Sequence, residues 1–182
     1  MKKGNKKKDI ERFEALRDAA AQIADGNFDI KKYYGITDDG LEAIYNIGYE
    51  MYNHKKYENA GDVFNLLTML EPNSTKYLSA CASAQYMAGN YLGALLLFKM
   101  SMINGDYNPK TLMKISECSI KLEKFDDVRR YNNEIIRLFS TDEYKKDKEV
   151  ASYVERAKMI NSMLDEKDSS SFQEGNESGP EQ

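Results

Sequence analysis

One short pattern in this sequence recurs at a fixed interval, and the recurrence limits the folds that the chain can adopt. The stretch Tyr57–Phe64 is matched 34 positions later by Tyr91–Phe98. The identical residues are Tyr57 and Tyr91, Ala60 and Ala94, and Phe64 and Phe98. Phe125 and Val128 continue the same register as a weaker third copy. Such self-similarity indicates stacked copies of one supersecondary unit that share a continuous core.

An interval of 34 residues is typical of tetratricopeptide helix pairs, in which two antiparallel helices approach through small residues. In the first pair, Gly48 and Ala60 are the small residues and Phe64 fills the space around them. Ser116 and Asn132 break this pattern in the third pair, as expected for a terminal repeat that faces a cap. The repeat aromatics are expected to pack between helices and to touch no ligand.

The predicted fold is all-α, with three tetratricopeptide helix pairs that form a short right-handed superhelix between an N-terminal helix and a C-terminal capping helix. The first helix of the first repeat is expected to begin near Gly40, after the N-cap cluster Thr37–Asp39. The predicted repeat helices run from about Gly40 to Asn53, Tyr57 to Leu70, Thr75 to Ala88 and Tyr91 to Ile103, with the third pair from Pro109 to about Leu138.

Changes in composition divide the chain into five segments. Lysines crowd the first eight residues and repel one another, which predicts a mobile leader. Beyond Asp165 the apolar residues are too few to offset the entropy of ordering. The segments are a basic disordered leader at 1–8, an N-terminal helix and linker at 9–35, the three repeats at 36–140, the capping helix at 141–165 and a disordered acidic tail at 166–182.

The predicted N-terminal helix has an apolar face that needs a cover. Its members share helical spacing and are Ile10, Phe13, Leu16, Ala20 and Ile23. This helix either folds back on the repeats or pairs with a second subunit as a dimer helix. The sequence does not choose between the two arrangements.

Several functional classes receive no support from the composition. The chain has 182 residues, of which 41% are apolar, and its net charge is −4. No stretch approaches the roughly 18 apolar residues that span a bilayer, and no secretory signal begins the chain, so a cytoplasmic protein is expected. The negative charge and scattered basic residues give no general attraction to nucleic acid or to membranes.

Catalysis is not expected either. Cys81 and Cys118 fall within predicted helices and are interpreted as core thiols, and His54 lies in a predicted turn. The sequence contains no cluster of metal ligands, no phosphate-binding loop and no nucleophile elbow. We therefore predict no enzyme, no cofactor and no bound metal.

The concave faces of the repeat helices are the candidate binding surface. In the first helix of the first repeat, Tyr45, Tyr49 and Tyr52 share one face, because their spacing is i, i+4, i+7. The predicted groove comprises Tyr45, Tyr49 and Tyr52 as an aromatic wall, Ser79, Ser83 and Tyr86 in the second repeat, and Met113, Glu117 and Ile120 in the third. Such a surface suits an extended peptide with apolar anchors.

Two other interpretations stand beside this one. A tyrosine stripe at helical spacing also occurs as simple packing. Alternatively, some tetratricopeptide domains clamp a C-terminal carboxylate with groove lysines and asparagines. Here Tyr45 and Tyr49 occupy the places that such a clamp needs, and Lys76 and Lys110 lie only at the predicted rim.

The first repeat also resembles a particular family. The residues that carry this likeness are Ile36–Asp39, Leu41–Tyr45, Tyr49, Tyr52, Tyr57–Ala60, Val63, Phe64 and Leu67. They resemble the class II chaperones of bacterial type III secretion, which serve translocator proteins. The likeness covers about residues 15 to 165 and weakens toward the third repeat.

The resemblance implies a non-enzymatic, ATP-independent chaperone that keeps hydrophobic translocators soluble before export. It places the client segment against Tyr45, Tyr49 and Tyr52. In that family dimers often form through the N-terminal helices, and some members bind a transcriptional activator, so the resemblance adds both as partners. The alternative is a general tetratricopeptide scaffold that joins two folded proteins.

Overall fold

The computed structural model describes Glu14, Arg17, Asp18 and residues 30–174, with side chains as far as Asp168. The predicted apolar face Ile10, Phe13, Leu16, Ala20 and Ile23 lies outside the described residues. Residues 30–174 contain eight helices and no strand. The helices are α1 (Ile30–Tyr33), α2 (Asp38–Asn53), α3 (Tyr57–Leu70), α4 (Thr75–Met87), α5 (Tyr91–Ile103), α6 (Pro109–Lys121), α7 (Phe125–Phe139) and α8 (Lys148–Glu174).

The chain divides into two units, residues 1–44 and residues 45–182. The first unit includes α1, a short helix where the sequence predicted only a linker. It also contains the start of α2, where the Thr37 hydroxyl accepts a hydrogen bond from the Gly40 amide at 3.1 Å. This contact confirms the predicted N-cap. Lys31 donates to Asp38 at 2.8 Å, and this hydrogen bond lowers the pKa of the Asp38 carboxyl.

In the second unit, each helix from α3 to α8 packs against the next, and α6 also contacts α8. The predicted all-α helical-repeat fold is confirmed. Small residues occupy the predicted positions, since Ala60, Ala82 and Ala94 are fully buried. Within the part of the chain that the structure describes, no helix is long and apolar enough to cross a membrane.

Gly48 marks a close approach between the two helices of the first repeat. A Cβ atom added at Gly48 would lie 2.7 Å from Cε1 of Phe64, a distance that real Cβ atoms do not show. The Phe64 side chain is 2% exposed and fills the space beside the glycine. The sequence pattern therefore corresponds to a steric requirement: only a residue without a side chain leaves room for this ring.

The third repeat solves the same packing problem with polar groups. The Ser116 hydroxyl donates to the side-chain carbonyl of Asn132 at 2.7 Å, at the positions held by a small residue and an aromatic ring in the earlier repeats. The Asn132 amide in turn donates to Asn161 of α8 at 3.1 Å. Asn132 is fully buried, so these hydrogen bonds satisfy groups that would otherwise be costly to bury.

The C-terminal helix differs from its predicted bounds. A turn precedes it, and the Asp147 carboxylate caps its start by accepting from the Glu149 amide at 2.9 Å. Residues from 166 onward were predicted to be disordered, but α8 continues to Glu174. Arg129 of α7 explains part of this extension, because it donates to Asp165 and, at 2.6 Å, to Asp168.

Candidate peptide-binding groove

A groove of about 520 Å³ is lined by residues of α2, α3, α4, α5 and α6, all of them within the second unit. Five predicted binding residues line it together: Tyr45, Tyr49, Tyr52, Ser79 and Ser83. The volume is within the range of about 300–1,000 Å³ that small ligands occupy in proteins. Such a space accepts a few side chains of an extended segment, but not a folded domain.

Tyr45 belongs both to the groove and to the packing of the repeat. Its ring stacks on Tyr49 with centroids 6.3 Å apart and lies 5.5 Å from Phe64 and 6.1 Å from Tyr77. The Lys76 ammonium group lies 4.1 Å from the centre of the same ring. Tyr45 therefore lines the groove and also packs within the repeat.

Tyr49 and Tyr52 are more open to an incoming side chain. Tyr49 is 50% exposed, and the ring contact that the structure gives it is the stack on Tyr45. Tyr52 is half-buried and packs edge-to-face on Tyr57 at 5.2 Å. Burial raises the pKa of the Tyr52 hydroxyl, so that group stays neutral at physiological pH. The aromatic wall thus offers apolar area without charge.

The floor of the groove includes two residues that were expected only to pack. Phe64 and Phe98 line the groove, although they are 2% and 3% exposed. The equivalent aromatic rings of the first two repeats therefore bring the core up to the groove. The repeat register predicted their packing positions, but it did not predict that their faces would reach the groove.

A polar network around Asp106 also borders the groove, and sequence reasoning missed it. One carboxylate oxygen of Asp106 accepts from the hydroxyls of Ser79, Ser101 and Thr111 at 3.1, 3.0 and 2.8 Å. The other oxygen accepts from the Asn108 amide at 2.5 Å. These hydrogen bonds join α4, α5 and the start of α6. The Asp106 carboxylate therefore holds the floor of the groove together, and its oxygens are already occupied by these donors. The clustered Asp, Asn and Thr around Pro109 were the available signal.

The remaining predicted residues do not line the groove. Tyr86 packs edge-to-face on Tyr91 at 5.4 Å, and Ile120 is half-buried elsewhere on α6. Met113 is 1% exposed within the core, so its assignment to the groove is corrected.

Glu117 is corrected for a different reason. It is 8% exposed and forms ion pairs at 2.8 Å with Lys114 and with Arg156 of α8. The capping helix thus contacts the face of α6 that the simple repeat register had left open.

A second exposed apolar surface lies on α5, away from the groove lining. It consists of Leu92, Leu96, Met100 and Ile103, which share one face of the helix and are 51%, 55%, 44% and 78% exposed.

The described residues contain no group of three metal-ligating side chains. Cys81 and Cys118 are free and buried, as the sequence predicted.

Comparison with known proteins is consistent with this geometry. A tetratricopeptide repeat model matches residues 41–73, which cover the first repeat. No curated protein sequence matches the chain. Solved structures do match it. A type III secretion complex from Aeromonas hydrophila superposes with a TM-score of 0.68 and 17% identity, over 82% of this chain and 96% of the other.

Two further matches contain a bound segment. PcrH of Pseudomonas aeruginosa, in complex with the chaperone-binding region of PopD, gives a TM-score of 0.63 at 19% identity, over 74% of this chain and 97% of PcrH. SycD of Yersinia enterocolitica, in complex with a peptide of the translocator YopD, gives 0.57 at 20% identity, over 69% of this chain and 98% of SycD. The resemblance to translocator chaperones is confirmed at the level of the fold.

Proposed function

We propose that this protein is a cytoplasmic, non-enzymatic chaperone of a type III secretion system that holds hydrophobic translocators through a short segment bound in the groove. The observation that carries the proposal is the joint position of Tyr45, Tyr49 and Tyr52 on one wall of that groove. The fold supports it, because PcrH and SycD, which share the fold, form complexes with segments of PopD and YopD.

The mechanism is masking of apolar side chains. Burial of one leucine-sized anchor is worth roughly 1.5 to 3 kcal/mol, so two or three anchors contribute about 3 to 9 kcal/mol before ordering costs. Micromolar affinity for a short segment corresponds to about 8 kcal/mol, near the upper end of that range. Because burial alone supplies this free energy, the mechanism requires no ATP.

Two further partners belong to the proposal. A homodimer is supported by the dimers of SycD, and the exposed stripe Leu92, Leu96, Met100 and Ile103 offers one apolar surface for it. Light scattering on the full chain and on a Leu96→Glu variant tests this, with a monomer at all concentrations contradicting it. A transcriptional activator, implied only by the family resemblance, stays a prediction.

The client assignment is tested by co-expression with the hydrophobic translocators encoded in the same genome. Tyr49→Ala is the decisive variant, because this ring is half-exposed in the groove and its loss leaves the core intact. Tyr107→Ala is a matched control: Tyr107 is 47% exposed, does not line the groove, and donates its hydroxyl proton to Glu134.

We expect Tyr49→Ala to reduce the amount of soluble, co-purified translocator and to weaken binding about tenfold, since an aromatic anchor contributes more than 1 kcal/mol. Tyr107→Ala should retain the client. Circular dichroism should show both variants folded. If Tyr49→Ala keeps the translocator soluble as well as the unmodified protein does, the groove is not the client site.

A further inference from the structure

The groove lining carries an excess of positive charge in a protein whose net charge is negative. Lys76, Lys110 and Lys114 line it, and Asp106 is the carboxylate in the same lining. Asp106 already accepts four hydrogen bonds from neighbouring side chains. The carboxylate is therefore committed to the floor of the groove, and it is not aimed at the lysines.

The three lysines differ in their surroundings. Lys76 lies over the Tyr45 ring at 4.1 Å, and Lys114 contacts Glu117 at 2.8 Å. Lys110 is exposed, and within residues 30–168 it forms no ion pair. Lys110 and Lys114 are one helical turn apart on α6, so their side chains share one face. Together they place a positive edge beside an uncharged aromatic wall.

We propose that the bound segment carries an acidic side chain next to its apolar anchors, and that this carboxylate pairs with Lys110 while the anchors pack on the tyrosine wall. The inference rests on the proposed function and adds a chemical class to the client. Apolar burial supplies affinity, whereas the charge pair fixes the register of the segment in the groove, because a shifted segment would lose the pair.

An internal side chain is the source of this carboxylate, in preference to a chain terminus. Clamps for a C-terminal carboxylate surround it with lysine and asparagine donors from the first helix. Here α2, the first helix of the first repeat, presents Tyr45 and Tyr49 to the groove instead. A terminal carboxylate would leave the tyrosine wall without a continuing segment to cover it.

The test starts from an array of 15-residue peptides that tile the hydrophobic translocators of the same genome. The tightest binder is labelled for fluorescence polarisation and remade with each Asp or Glu replaced by Asn or Gln. Its affinity is measured for the unmodified protein, for Lys110→Gln and Lys110→Glu, and for Lys121→Glu. Lys121 is an exposed lysine on the same helix outside the groove lining, so it is a matched control.

We expect one acid-to-amide replacement and Lys110→Gln each to weaken binding about three- to fivefold, the range of a partly exposed charge pair. Lys110→Glu should weaken it about tenfold, and a peptide with lysine at the critical position should recover that loss. Lys121→Glu should have no effect. Binding should also weaken between 50 and 500 mM salt, since screening acts over about 10 Å at 0.1 M.

The outcomes separate the two proposals. If no tiled peptide binds, or if Tyr49→Ala has no effect, the client assignment fails and this inference fails with it. If a peptide binds through the tyrosines but neither Lys110→Glu nor any acid-to-amide change matters, only the charge pair is refuted. If amidation of the peptide C-terminus reproduces the loss, the carboxylate is terminal and the proposed internal acid is wrong.

Discussion

The contact between Gly48 and Phe64 gives the sharpest stability prediction. Replacing a glycine by alanine inside a helix normally stabilises it by about 1 kcal/mol. At Gly48 the new Cβ would approach Phe64 at 2.7, 3.0 and 3.1 Å, against three different ring carbons. The ring is 2% exposed and is packed against these atoms, so overpacking should cost about 1–3 kcal/mol.

Gly61 is a matched control in the next helix. A Cβ there would meet its nearest neighbour, Nε2 of Gln85, at 3.5 Å, which is an ordinary contact. Gly61→Ala should therefore raise the free energy of unfolding by the full difference in helix propensity between alanine and glycine. The free energy of unfolding of Gly48→Ala should be about 1–3 kcal/mol lower than that of Gly61→Ala. For a chain of this size, that difference corresponds to about 2–12 °C in Tm.

Urea unfolding followed by circular dichroism measures both variants, with Phe64→Leu completing a double-mutant cycle. Because the smaller side chain makes room for the Cβ, Gly48→Ala should cost less in the Phe64→Leu background, with a coupling of about 0.5–3 kcal/mol. Equal stabilities for Gly48→Ala and Gly61→Ala would show that the close approach is not the reason for glycine at this position.

Three other predictions test the remaining packing. Tyr45→Ala should lower stability by about 1–3 kcal/mol in a urea titration, because it removes one stacked and two tilted ring contacts and aromatic pairs contribute about 0.5–1.5 kcal/mol each. Unchanged stability would leave Tyr45 a groove residue only. Burial raises the pKa of Cys81 to about 11 and that of Cys118 to about 12. The unfolded thiols lose their protons near pH 9 while the native thiols keep theirs, so the free energy of unfolding should fall as the pH rises above about 9. A double Cys→Ser variant that shows the same alkaline slope would contradict this cause. Asn132→Ala should lower the free energy of unfolding by about 1–3 kcal/mol, because it leaves the buried Ser116 hydroxyl unpaired. A thermal melt unchanged from that of the unmodified protein would contradict this prediction.

The fold was predictable because its determinants are local and repeated. Gly48 and Ala60 recur as small residues at fixed spacing, and helix starts are marked by capping residues such as Thr37 and Asn108. These signals involve neighbours within a few residues or one repeat. The extension of α8 was not predictable in this way, because Arg129 stabilises it through acids far away in sequence.

The repeat register predicted groove residues correctly only where equivalent positions have equivalent neighbouring helices. Ser79 and Ser83 lie where the register places them, because α4 packs against α3 of the first repeat and α5 of its own. Met113 and Glu117 have the same register but a different neighbour, since α6 also contacts α8. A capping helix changes which residues are buried, and a repeat alignment contains no information about it.

In the first repeat, the determinants of the fold and of the groove meet in one side chain. Phe64 fills the space beside Gly48, lies 5.5 Å from the Tyr45 ring and lines the groove itself. Any displacement of this ring by a Cβ at Gly48 is therefore transmitted to the tyrosine wall. Gly48→Ala should weaken peptide binding even at temperatures where the variant is fully folded, whereas Gly61→Ala should not. If the proposed function holds, binding affinity in this repeat reports on core packing, because the lining of the groove is part of the core.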